Sequence, residues 1–369
     1  MSTHQSPSAA TTGGPRGRFG AAYRVLEEAI AARAFPGCAF GVLADGQAVL
    51  EDALGQFTYD ENTAGVTPQT RFDIASVTKV VATTATAMLL HQRGQLDLDA
   101  PVGDLLPEFV AGRDAADPAR DVNLRHLLAH NSGLPGYVEF FRTAADAEDL
   151  LRACFALPLD AVPGTRAEYS DPGFILLGKA LEALTGENLS SWAQHEVFVP
   201  LAMAKTGFRP APEERAAIPP TEEDESFRKR RIQGEVQDEN AWVLGGVAGH
   251  AGVFSTVGDL LRFSQSIVRG GSGPGLFDPD TIQQFAHRQG PAGSSQALGW
   301  DTPSAVSSSG RYFASHSIGH LGYSGCSLWI DLDAAVAVVL LTNRTWPDRA
   351  SQLIKIVRPA FHDAIREAL

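Results

Sequence analysis

Between Asp73 and Arg93 this chain carries one fixed charge, Lys79, in an otherwise apolar and hydroxylic run. The pattern predicts a helix whose first turn holds Ser76, entered from a strand end or turn at Arg71-Phe72-Asp73-Ile74-Ala75. It continues through Ala87, Met88, Leu89 and Leu90 until Gly94 stops it. Seven of the ten residues from Val77 to Thr86 are β-branched, which disfavours an isolated helix because these side chains lose χ1 freedom. Burial on most sides must therefore hold it, and the chain needs a core thick enough to surround it. Ser76 and Lys79 are three residues apart and share a helical face, so the amine can reach the hydroxyl. A lysine desolvated among apolar neighbours loses part of its preference for the charged form, and can then take a proton from a serine that is a poor nucleophile alone. A serine N-cap followed by a solvated lysine is the plainer meaning of S-x-x-K. It leaves the lone charge of this apolar run without a solvated face.

Two further stretches carry chemistry. Glu168-Tyr169-Ser170-Asp171-Pro172-Gly173 follows a Pro163-Gly164 turn and precedes the apolar run Phe174–Gly178, which places it on a loop at the mouth of a helix. A tyrosine there can relay a proton; it can equally anchor a helix whose N-cap is Ser170 or Asp171. Gly319-His320-Leu321-Gly322-Tyr323-Ser324-Gly325 puts three glycines in seven residues where a strand begins. That allows a ligand to approach the backbone closely, and an edge strand there could aim an N–H at a developing oxyanion. A glycine-rich hairpin entry is the alternative.

In this order and spacing, S-x-x-K, Y-S-D and H-x-G resemble the serine β-lactamase and penicillin-binding-protein superfamily, most closely its class C β-lactamase-like branch of esterases, D,D-peptidases and D-aminopeptidases. Leu127-Leu128-Ala129-His130-Asn131-Ser132-Gly133-Leu134-Pro135 and the glycine-rich Gly245–Thr256 also look like family segments, and the likeness spans roughly residues 20 to 365. The resemblance implies an α/β (α+β) fold, an antiparallel sheet flanked by N- and C-terminal helices with an inserted all-helical lobe. It implies Ser76 as acylated nucleophile, Lys79 as its base and Tyr169 as proton relay. Asp171, His320, Gly322 and Tyr323 would meet the substrate, with the N–H groups of Ser76 and Tyr323 as oxyanion hole. Two positions depart from the pattern. Asp171 stands where Asn is more usual and, ionised, can only accept, which suits a substrate presenting a donor or cation. His320 stands where β-lactamases carry Lys and supplies no fixed charge unless protonated at the acid end. Both favour an ester or peptide-type acyl donor, processed as by a carboxylesterase or D-amino-acid peptidase, with β-lactam turnover weak. The contrasting class is a sensor that keeps the fold, and even the acylation step, without turnover.

The 369 residues exceed a single core of about 250 to 300 residues, so two lobes are expected: 20–75 with 292–369 as the sheet lobe and 76–291 as the helical lobe. Strands are expected at Cys38–Ala44 and Gln47–Ala53, joined by an Asp45-Gly46 hairpin turn, and at Ser327–Asp331 and Ala334–Thr342. Terminal helices are expected at about Ala21–Ala34 and Ala350–Ala368. The charged stretch 210–239, with Glu222-Glu223-Asp224-Glu225 ahead of Arg228-Lys229-Arg230-Arg231, reads as a solvated loop able to overhang the site. Asp238–Trp242 is the better candidate for pocket contacts. A net charge of −13 argues against nucleic acid and anionic membrane surfaces. Residues 1–19 have no apolar segment and read as a disordered tail without a signal peptide, hence a cytoplasmic protein. Cys38, Cys154 and Cys326 are too dispersed for a disulfide framework. His126 and His130 have the i, i+4 spacing of a zinc helix, but Leu127 replaces the glutamate of H-E-x-x-H. No metal or cofactor is expected; the substrate is a small ester, peptide or lactam, and the oligomeric state stays open.

Overall fold

Asp45 and Gly46 adopt φ of 50° and 71°, the two-residue turn whose twist matches a hairpin. They join β1 (Gly37–Ala44) to β2 (Gln47–Gly55). The computed structural model describes residues 14–270 and 275–369. In it, β3 (Phe72–Asp73), β4 (Gly207–Phe208), β5 (Pro220–Asp224), β6 (Arg230–Gln233) and β7 (Val253–Ser255) lie in the middle of the chain. β8 (Ile318–Leu321), β9 (Ser327–Asp331) and β10 (Val336–Thr342) return to the first hairpin. The main sheet has the order β2-β1-β10-β9-β8, antiparallel throughout, with Phe40 opposite Leu340 and Val338 opposite Trp329.

Successive strand residues face opposite sides of a sheet, and here both sides are covered. Phe40, Val42, Val338 and Leu340 share a cluster with Leu26, Phe361 and Ile365 of the terminal helices Gly20–Ala31 and Ile354–Ala368. Ala39, Ala337, Val339 and Leu341 join the larger core with Leu260 and Phe263 of the helix Val257–Gly270. Covering on both faces explains why all seven residues of β10 are buried and why its sequence is an apolar run rather than an alternation. The larger core continues into the helices that carry Val80, Leu127, Phe174 and Val197, so a single apolar body backs both sheet and helices. The helix Val257–Gly270 falls in the stretch expected to be the helical lobe, yet it packs on β1 and β10.

Three expectations need correction. Of the supposed tail, residues 1–13 lie outside the described residues, but Pro15–Arg18 is a short helix and Phe19 is buried. The helix holding Ser76 is three segments: a 3₁₀ turn Ala75–Val77, a π-type stretch Lys79–Thr84 and an α-helix Ala85–Gln92. Crowded β-branched side chains account for the loose middle segment, where the Thr83 hydroxyl donates to Gly249 O at 2.6 Å. Finally, 210–239 is no solvated loop. Its middle is the β5–β6 hairpin, closed over Glu222, Asp224 and the guanidinium of Arg228, all buried. No described helix is long and apolar enough to cross a membrane.

Candidate active site

The segment before Ser76 is held under strain. Asp73 ends β3, and its carboxylate accepts the N–H groups of Ala75 at 2.8 Å and Gln237 at 2.7 Å. Burial outweighs these bonds and pushes its carboxyl up to about 6. Ala75 has φ 47°, a region costly for a residue with a Cβ and one that clusters at working sites. The turn after β8 packs against this segment. A Cβ on Gly322 would stand 2.4 Å from Ile74 O, so only glycine permits the approach, and the Ser324 hydroxyl donates to Asp73 O at 2.8 Å.

Lys79 Nζ lies 3.1 Å from Ser76 Oγ, 2.6 Å from Asp171 Oδ1 and 3.3 Å from His250 O, with its side chain wholly buried. Burial pulls the amine down, but the charges and hydrogen bonds of Asp171 and Tyr169 outweigh it and the net direction is upward. This reverses the expectation that desolvation leaves Lys79 inclined to neutrality, because Asp171 faces Lys79 and holds the ammonium. Tyr169 sits on the loop that Ser170 ends by capping the helix Asp171–Thr185 through its Oγ on Gly173 N–H. Its ring centroid is 4.6 Å from Lys79 Nζ. Although 40% of Tyr169 is exposed, its hydroxyl end is enclosed with Ser76 and Lys79. Burial pushes the phenol up against the opposing charge of Lys79.

His320 on β8 is buried, with Nδ1 2.8 Å from Leu321 O. Burial and then the Lys79 charge pull it down to about 3. It is therefore neutral across the ordinary pH range, and the protonated form expected at the acid end is not available there. Tyr323 follows Gly322 in a turn fixed by Gly322 N–H to Cys326 O and Gly325 N–H to Gly322 O. Its carbonyl accepts Arg344 Nε at 2.8 Å.

Two cavities open from Ser76 and share Tyr169 and Tyr323. One, of about 520 Å³, is walled by Asp171, Asp238, Glu239 and Arg349, with the half-exposed Tyr137. The other, of about 480 Å³, runs past His320 to Arg344, Lys355 and Arg358. No carboxylate among the described residues pairs with these three cations. Asp301 lines the same cavity, and the guanidinium groups of Arg344 and Arg358 donate to backbone carbonyls, among them Tyr323 O and Gly322 O. Sequence reasoning singled out Asp238 and Glu239 but missed Arg344, Arg349, Lys355 and Arg358, which lie beyond any motif and announce themselves only as scattered basic residues. It also missed that Asp238 binds buried His250 at 2.9 Å. His126 belongs to the helix Leu124–Leu128 and caps it, while His130 lies past its end, so the two do not share a helical face.

The β-lactamase family model matches residues 23–358. The chain belongs to the β-lactamase family. It is 30% identical over 361 residues, 87% of this chain and 80% of the relative, to an N-acetylmuramyl-L-alanine amidase of Bacillus subtilis strain 168. Its fold is like that of EstCE1, a hydrolase with promiscuous acyltransferase activity, at TM-score 0.76 and 22% identity over 95% of this chain and 98% of the other. It is also like that of a penicillin-binding protein homologue from Caulobacter crescentus, at TM-score 0.77 and 18% identity over 97% and 99%. As a member of this family it is a serine hydrolase, and the mixed α/β architecture with an antiparallel sheet is the family's fold.

Proposed function

We propose that this β-lactamase-family protein hydrolyses a small amide or ester through an acyl-enzyme on Ser76, with preference for substrates carrying a carboxylate near the scissile bond. The observation that carries the reading is the buried Lys79 ammonium, held by Asp171 and 3.1 Å from Ser76 Oγ. A cation with no route to solvent beside a hydroxyl that lines a cavity is placed for proton transfer rather than for solubility. Lys79 must release a proton before it can take the one from Ser76, and Asp171 sets the pH at which it does so. Ser76 Oγ then bonds to the acyl carbon while its proton passes to Lys79; Tyr169 hands a proton to the departing nitrogen or oxygen. Water repeats the sequence in reverse to free the acid. The N–H groups of Ser76 and Tyr323 are the assigned oxyanion donors; the Tyr323 N–H takes none of the bonds that fix its turn.

The cationic arm supports the carboxylate preference, and the resemblance to an amidase keeps amides beside esters. The test is a panel of p-nitrophenyl esters, a D-Ala-D-Ala peptide with its C-terminal amide, D-amino-acid amides and a chromogenic cephalosporin, each with wild type and Ser76→Ala. The peptide should react faster than its own C-terminal amide. A burst of one equivalent with no turnover on any substrate would overturn hydrolysis in favour of binding alone.

A further inference from the structure

The segment Leu127–Pro135, prominent in the sequence, contributes no side chain to either cavity, and its part is taken up by His130. The His130 carbonyl accepts Glu168 N–H at 2.7 Å, and its Nδ1 accepts Ser170 N–H at 3.0 Å. These bonds grip the chain on either side of Tyr169. The imidazole lies against the Tyr169 ring, centroids 4.5 Å apart and planes 37° apart, with Phe174 4.8 Å away. The end of the segment and the glycine after it hold the loop further along: Pro135 O accepts the Ser170 hydroxyl at 2.7 Å and Gly136 O accepts Asp171 N–H at 2.9 Å. A Cβ on Gly136 would sit 2.9 Å from Tyr169 O.

His130 is kept at a cost. It has φ 52°, in the left-handed region that a residue with a Cβ enters only at a cost in backbone strain. Because Nδ1 accepts, the ring proton resides on Nε2, which is buried without a partner among the described residues, a further desolvation cost. We infer that His130 is a positioning residue: by clamping both sides of the loop and stacking on the phenol ring, it sets where the Tyr169 hydroxyl stands relative to Ser76 and Lys79. The inference rests on the relay role given to Tyr169.

The test is a double-mutant cycle on the intact protein with a p-nitrophenyl ester, comparing His130→Phe and His130→Asn in wild type and in Tyr169→Phe. Phenylalanine keeps the stack and removes the acceptor. Asparagine offers an acceptor and tolerates the left-handed backbone, so it should keep more activity. In wild type His130→Phe should lower kcat about tenfold or more, the scale of a misplaced reacting group, with KM little changed. In Tyr169→Phe the same substitution should cost almost nothing further. An equal loss in both backgrounds, or a lowered Tm with kcat unchanged, would overturn the inference. A silent Tyr169→Phe in an enzyme still inactivated by Ser76→Ala would instead overturn the relay itself and this inference with it, so the two failures are distinct. If the phenylalanine variant fails to fold, the asparagine pair carries the same comparison.

Discussion

Lys79 and Arg228 are both cations removed from water, with side chains 0% and 2% exposed, but they are satisfied in different ways. Arg228 gives Nε to Asp224, Nη2 to Glu222 and Gln237 O, and Nη1 to Val236 O. Two carboxylates and two carbonyls enclose it, and Arg349 bridges Glu222 onward to Glu239 in the cavity wall. Lys79 has one carboxylate, and one of its three acceptors is a serine hydroxyl facing a cavity. A guanidinium that cannot lose its proton closes a structure. An ammonium whose charge hangs on one neighbour can be made to change state.

That contrast is open to breakage, first at its most sensitive point. Ser76→Ala should lower ester hydrolysis about 10³-fold or more while the protein stays folded, since it deletes the nucleophile alone. Mass spectrometry should find no acyl adduct on it. A folded variant with undiminished turnover would remove Ser76 from the mechanism. The arginine should behave in the opposite sense. Arg228→Ala leaves Asp224 buried without its cation and Glu222 with Arg349 alone, which should cost about 3–5 kcal/mol of stability in a denaturant titration. The rate per folded molecule should fall far less than in Ser76→Ala. Should Arg228→Ala lose catalysis without losing stability, the division between closing and reacting cations fails.

Lys79→Ala and Tyr169→Phe come next, each expected to lower kcat by about 10² or more, as for a lost proton-transfer group. Because the two groups share one proton path, the double variant should lose far less than the product. Strict multiplicativity in steady-state kinetics would separate them.

How legible these two regions were in the sequence differs for a physical reason. Ser76, Lys79 and Tyr169 stand in short motifs with a lone charge in an apolar run, and a charge without solvent is visible in one dimension. β1, β9 and β10 were legible from apolar runs ended by turn residues. The hairpin around Arg228 was not, because acids followed by bases look the same whether they compensate in water or across a buried turn. What distinguishes them is that Glu222 and Asp224 sit two apart in β5, with Arg228 four residues beyond Asp224 where it returns to both. The partnership of Asp171 with Lys79 was illegible too, since it joins residues 92 apart in sequence. Position 171 was read for a substrate because only its chemistry, and not its neighbour, was available.

The mildest change tests the contrast most sharply. Lys79 faces Asp171 and Tyr169 from the helix mouth and loop, the His250 carbonyl at 3.3 Å, and Asp238, His130 and His320 more remotely. His130 and His320 are neutral, so Asp171 is the principal group holding the ammonium. Asp171→Asn removes that charge with little change of shape, and burial then acts on Lys79 with much less opposition. The amine becomes neutral at lower pH, and the rising limb of kcat/KM against pH should move toward acid, the direction that follows from losing an opposite charge beside the ammonium. Near neutral pH the variant should equal or exceed wild type, whereas Lys79→Ala should flatten the limb altogether. A limb that stays in place in Asp171→Asn would mean that Asp171 does not set the charge of Lys79. Lys79 would then stand with Arg228 as a cation held for structure, and the proton from Ser76 would have to leave by Tyr169 alone.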